Sequence, residues 1–183
     1  MTLQLSTLSI ILGLIVAVPQ AYGLLRPQKF AEAARKFPRN LPAGIALMLL
    51  GTAWFLWNLH LESISEFAHL KPYLMAGFGA VGVGACIYVQ DFLAVRGLAV
   101  VLLLLAKLMV DTGRPMLEVT RWSLVIQTWA YVLVFLGAWL TISPWRLRDW
   151  IDWATANERR VRVGSAIRLA FGLFIVALGL ICF

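Results

Sequence analysis

Apolar residues run almost without a break through six stretches of the chain: 5–25, 41–61, 72–89, 92–110, 122–142 and 164–183. Each is close to the ~20 residues that a helix needs to cross ~30 Å of hydrocarbon. The polar positions collect in short connections, so a separate soluble domain has no place. The pattern predicts an all-α membrane protein in which six transmembrane helices form three hairpins, with residues 1–183 as one integral membrane domain. Any functional group then sits inside the bilayer or at its surfaces.

Two connections break the pattern in the same way. After Pro27 the apolar residues are Phe30, Ala33, Ala34 and Phe37, and after Pro144 they are Leu147, Trp150, Ile151 and Ala154. Both follow the i, i+3, i+4, i+7 spacing of one helix face, and each starts from a proline suited to a first helical turn. Lys29, Glu32 and Lys36, and Arg146, Asp149 and Asp152, lie opposite the apolar stripe. Such segments are too short and too charged to cross, which predicts two amphipathic interfacial helices at 27–37 and 144–154. Each is followed by a basic cluster and a glycine that opens the next span, so the span, surface helix, span unit is used twice.

Composition narrows the class. Of 183 residues 61% are hydrophobic and 14% charged, with a mean hydropathy of +0.83. A soluble domain is roughly 45–50% apolar and 25% charged, so a water-soluble globule is excluded. The net charge of +7 is embedded in too much apolar sequence to form a phosphate-tracking surface, and no nucleic-acid partner is expected. Cys86 and Cys182 both fall in apolar runs and behave as small hydrophobes rather than as a disulfide framework. Met1 to Thr7 carries no Lys or Arg, which argues against a removed secretory signal.

Charge sets the orientation. The connections after the first, third and fifth spans, together with Arg96 at the start of the fourth span, hold eleven of the 16 Lys and Arg residues, whereas those after the second and fourth hold three: Lys71, Arg114 and Arg121. Short basic loops stay in the cytoplasm, so both termini are expected outside in a bacterial-type inner membrane. Trp54, Trp57 and Trp122 then fall toward the outer boundary, with Trp139 and Trp145 toward the inner one. Lys29, Arg35, Lys36, Arg39, Arg146, Arg148, Arg159, Arg160 and Arg162 become candidate contacts to the anionic leaflet.

Four groups of residues carry candidate chemistry. Gly97 to Ala106 separate Arg96 from Lys107 by about 15 Å of helix, so the two cations straddle the oil by snorkelling or one is drawn inside. Lys107, Asp111, Arg114, Glu118 and Arg121 have helical spacing, but Gly113 and Pro115 interrupt it and leave Lys107 and Asp111 as an i, i+4 pair. With Asn58, Gln90 and Gln127 that pair could line a polar intramembrane path; the bland use of the amides is interhelical hydrogen bonding. Glu66 and His69 have the Glu-x-x-His spacing of di-metal bundles, yet a second such pair is missing, so they remain weak metal candidates. Gly77, Gly79, Gly82 and Gly84 in the third span suit close helix packing, since small residues replace the hydrophobic drive that lipid removes.

Pro19-Gln20, near the inner end of the first span and followed by a basic connection, resembles the dipeptide of the PQ-loop transporters. The resemblance is two residues long. The later spans hold no second copy, and six spans depart from that family's three- or seven-span forms, so no membership follows. Gly-x-Ser-x-Gly, His-Glu-x-x-His and phosphate-cradling glycine loops are missing from the sequence. No catalytic residue and no cofactor is therefore assigned. The leading expectation is an accessory or scaffold protein that packs against other membrane subunits or against itself and grips the anionic leaflet. The alternatives are a small-solute or ion transporter, and a lipid-modifying enzyme.

Overall fold

The computed structural model describes residues 4–62 and 68–183, which form helices joined by short connections, with no strand among them. The α-helices are α1 (Leu5–Leu25), α2 (Pro27–Lys36), α3 (Leu41–Leu61), α4 (Lys71–Tyr88), α5 (Leu93–Gly113), α6 (Ser123–Ile142), α7 (Trp145–Ala154) and α8 (Glu158–Ile181). Local chemistry explains the boundaries. Asn40 Oδ1 accepts from Ala43 N at 3.2 Å to cap α3, and Pro42 occupies its first turn. Gly113 ends α5, and a single 3-10 turn from Arg114 to Leu117 follows it through Pro115. The charge ladder expected to break at Gly113 does so.

Among the described residues five helical stretches are long and apolar enough to cross a membrane: Leu5–Leu25, Leu41–Leu61, Leu93–Leu117, Ser123–Ile142 and Glu158–Ile181. Five of the six expected spans thus have the length and apolarity of a crossing. The stretch that drops out is α4, a helix of 18 residues that opens on Lys71 and contains Gly77, Gly79, Gly82 and Gly84. Lysine and glycine dilute its hydropathy without breaking its helix.

The chain divides into two compact units, with α5 and α6 each contributing one half to each. The first comprises Met1–Lys36, Leu105–Leu133 and Arg148–Phe183. Its most extensive interface joins the first and last helices, α1 and α8, not two neighbours in sequence. They run antiparallel: Gly23 meets Ser165, Gly13 meets Gly172, and Ser6 meets Gly179. Helix α6 lies against α8 through perpendicular rings, Trp129 on Phe171 at 5.2 Å and Trp122 near Phe174 at 6.5 Å, again antiparallel.

The second unit comprises Phe37–Leu104 and Val134–Leu147. Here α3 and α4 are antiparallel, with Gly82 against Thr52 and the Phe55 and Phe78 rings 5.0 Å apart. Lys71 Nζ closes this hairpin by donating to the carbonyls of His60 (2.6 Å) and Glu62 (2.9 Å) at the end of α3. Gly44 lies on Leu93 and Ala94, Gly97 on Leu47 and Met48, and Gly51 on Val100, an order that makes α3 and α5 parallel. Val95, Ala99 and Leu140 form the buried core of this unit. Phe92, which opens α5, has φ of 53°, in the left-handed region that a non-glycine residue enters at a cost.

Candidate functional site

Small residues on α1 and α8 let two backbones touch. Ser9, Gly13 and Ala17 recur every four residues on α1, and Ser165, Gly172 and Gly179 every seven on α8; all six are buried. A Cβ added to Gly13 would lie 2.6 Å from the Gly172 carbonyl oxygen, and one added to Gly172 would lie 2.8 Å from the Gly13 oxygen. No side-chain rotation relieves such a clash. In lipid, where apolar burial does not drive association, this proximity of backbones supplies the packing.

At one end of that seam the two basic connections meet. Arg35, on α2, donates from Nε to Thr155 Oγ1 and from Nη2 to the Thr155 carbonyl, both at 2.8 Å, and its Nε lies 3.7 Å from Asp152. Thr155 Oγ1 in turn donates to the Ile151 carbonyl at 2.7 Å, so α2 is clamped to the turn between α7 and α8. The fork geometry of guanidinium makes this a directed contact rather than a point-charge attraction. A cleft of about 370 Å³ opens beside it, with Glu32 and Glu158 on its walls. Arg160 lies over the Trp153 ring at 5.3 Å and donates to the Trp153 carbonyl, while Trp150 and Trp153 stay exposed. Deeper along the seam, Arg168 Nη1 donates to Gln20 Oε1 at 3.4 Å, one residue beyond Pro19 inside α1.

The residues nominated for a polar path are held locally. Lys107 Nζ and Asp111 Oδ2 pair at 2.7 Å with side chains 44% and 48% exposed. Gln127 is 7% exposed and donates from Nε2 to the Val110 carbonyl at 3.3 Å, tying α6 to α5. Asn58 donates to the Trp54 carbonyl of its own helix at 3.0 Å, and Gln90 to the Ile87 carbonyl at 3.4 Å. The hydrogen bonds thus join Gln127 to the helix of Lys107 and Asp111, and keep Asn58 and Gln90 on their own segments.

The four α4 glycines divide by face. Gly82 lies against Thr52, and a Cβ added to Gly79 would lie 3.6 Å from Leu56 Cδ1, whereas a Cβ added to Gly77 or Gly84 would meet no neighbouring element within 4 Å. His69 is exposed in a short 3-10 turn, and Glu66 lies outside the described residues. Among the described residues no group of three His, Cys, Asp or Glu could hold a metal ion.

No family model, curated protein or solved structure matches this chain. Sequence reasoning did not single out Ser9, Gly13, Gly172, Gly179 or Thr155. The i+4 recurrence of small residues at 9, 13 and 17 was the available signal for the first two.

Proposed function

We propose that the chain is a six-span accessory or scaffold subunit of a bacterial inner membrane. It holds its own first and last helices together, offers α4 to a second membrane protein or a second copy, and grips the anionic cytoplasmic leaflet with its basic end. The observation that carries the reading is the division of glycines on α4. Gly79 and Gly82 are consumed by packing on α3, while Gly77 and Gly84, seven residues apart on the outward face, are open. A helix of marginal hydropathy with an open small-residue seam suits close approach by another helix.

Helix directions support the sixth crossing. The parallel α3 and α5 need a return passage between them, and α4, antiparallel to α3, is the intervening helix. At ~1.5 Å per residue its 18 residues span about 27 Å, close to the hydrocarbon thickness. The antiparallel α1 and α8 bring both chain termini to one end of their pair and the basic connections to the other, which requires an even number of crossings. The other end of the pair is free of charged residues among those described, and the asymmetry favours the basic end as cytoplasmic, with α2 and α7 in the headgroup plane.

Copurification in mild detergent tests the function. A second copy or another membrane subunit should come down with the wild type, and Gly77→Leu with Gly84→Leu should release it while leaving the chain folded. A wild-type chain that purifies alone as a monomer would defeat the scaffold reading and favour transport.

A further inference from the structure

Where α1 ends and α2 begins, a second cleft of about 470 Å³ faces the first turns of α8. Leu25, Arg26, Gln28 and Lys29 form one wall, and Glu158 and Arg162 the other. Three cations and one carboxylate thus share a space large enough for a small polar headgroup. Arg162 Nη2 donates to Glu158 Oε1 at 2.6 Å, which fixes the guanidinium in place and leaves its remaining donors available. The side chains of Arg26 and Lys29 make no hydrogen bond or ion pair among the described residues. The cleft keeps a surplus of two positive charges.

We infer that this cleft is a binding site for a membrane phospholipid, with Arg26, Lys29 and Arg162 holding the phosphodiester. Guanidinium groups recognise phosphate oxygens through paired donors, and the ammonium of Lys29 adds a third, mobile one. Two features favour a lipid over free phosphate. The cleft lies at the junction of an apolar span and a polar surface helix, the depth at which headgroups sit. An exposed apolar side chain lines it: Leu25, 82% exposed, with the exposed Tyr22 one turn earlier on α1. Cations beside a bare apolar surface match an amphiphile, whose acyl chains follow α1 while the phosphate stays in the cleft. The inference rests on the reading that this end of the α1 and α8 pair faces headgroups, and it adds a discrete site to what would otherwise be diffuse attraction.

Native mass spectrometry of the full chain in mild detergent with added dioleoyl phosphatidylglycerol tests it. One retained lipid is expected. Replacing the trio (Arg26→Gln, Lys29→Gln, Arg162→Gln) should lower occupancy more than tenfold, since each cation near a phosphate is worth about fivefold. Replacing three basic residues outside the cleft (Lys36→Gln, Arg159→Gln, Arg160→Gln) should leave it nearly unchanged, with thermal unfolding of both variants checking that each is folded. Equal losses from the two sets would overturn the discrete site while leaving general leaflet attraction intact. Binding of inorganic phosphate with the same dependence on the trio, without retention of the diacyl lipid, would overturn the lipid assignment. No retained lipid on the wild type would overturn the site itself. Cysteine labelling at position 35 reports separately which side this end faces, so a failed orientation and a failed cleft give different results.

Discussion

Gly13 of α1 and Gly172 of α8 face each other backbone to backbone, each occupying the space that a Cβ on the other helix would need. Gly172→Ala, or Gly13→Ala, forces main chain against main chain, and overpacking of this kind costs about 1–3 kcal/mol. Gly77→Ala on α4 inserts the same methyl group into open space and should leave the isolated chain unchanged. Unfolding in detergent, followed by circular dichroism, should separate the two positions. Equal stability of the Gly172→Ala and Gly77→Ala chains would mean that α1 and α8 are not in backbone contact.

In that seam Ser165 is fully buried, and its Oγ makes no hydrogen bond among the described residues. Loss of a hydroxyl that has no partner removes a desolvated dipole and leaves only a small void. Ser165→Ala is therefore expected to be neutral or to stabilise the fold by up to about 1 kcal/mol. Ser165→Val should instead destabilise, because a Cβ on Gly23 would already come within 2.5 Å of the serine oxygen. An alanine variant that unfolds more easily than wild type by the same detergent assay would show that the hydroxyl is paired.

The Arg35 clamp distinguishes a directed hydrogen bond from a surface ion pair. Arg35 and Asp152 are about half exposed and 3.7 Å apart, so Asp152→Asn should change stability by less than ~1 kcal/mol. Arg35→Ala removes both contacts to Thr155 and should cost about 1.5–3 kcal/mol, the range for hydrogen bonds from charged groups. Arg35→Lys should fail to restore them, because one ammonium cannot serve the hydroxyl and the carbonyl with fork geometry. Hydrogen exchange of the backbone amides from Thr155 to Asn157 is the readout. Full protection in the lysine variant would contradict the clamp.

Much of the helical framework was legible because oil and helix coincide in the spans. The stretches 5–25 and 41–61 are α1 and α3 to the residue, and 122–142 differs from α6 by one position. At 164–183 hydropathy fails to find the start: α8 begins at Glu158, since Arg159, Arg160 and Arg162 continue a helix while lowering its apolarity. The partnership of α1 with α8 was not legible, because residues about 150 positions apart leave no local trace except their small size. Glycine density singled out α4, but density does not reveal what each glycine meets. The polar candidates were legible as residues and not as a set, since Asn58 and Gln90 bond to carbonyls in their own segments.

Phe92 combines backbone strain with a ring contact, and substitution can separate them. Its φ of 53° opens α5, and the Arg39 guanidinium carbon lies 5.9 Å from its ring centroid. Phe92→Ala loses the ring and keeps the strain, whereas Phe92→Gly loses both. Glycine should thus be more stable than alanine here by about 1 kcal/mol, the reverse of their order inside a helix. Thermal melts of the two variants in one detergent provide the comparison. An alanine chain at least as stable as the glycine chain would mean that this residue is not held in the left-handed region.

The crossing of α4 decides the topology, and two single-cysteine labels flanking it are sufficient. In a background with Cys86→Ala and Cys182→Ala, His69→Cys lies before α4 and Asp91→Cys after it. If α4 crosses, a membrane-impermeant maleimide applied to intact cells should modify position 69 and spare position 91 until the membrane is permeabilised. If α4 lies on one surface, both positions react alike. That outcome would give the chain an odd number of crossings and place its two basic connections on opposite sides of the bilayer. The Arg35 bond to Thr155, which draws those connections together at 2.8 Å, could not then form across ~30 Å of hydrocarbon. The label at position 91 therefore tests the helix count and the clamp at once.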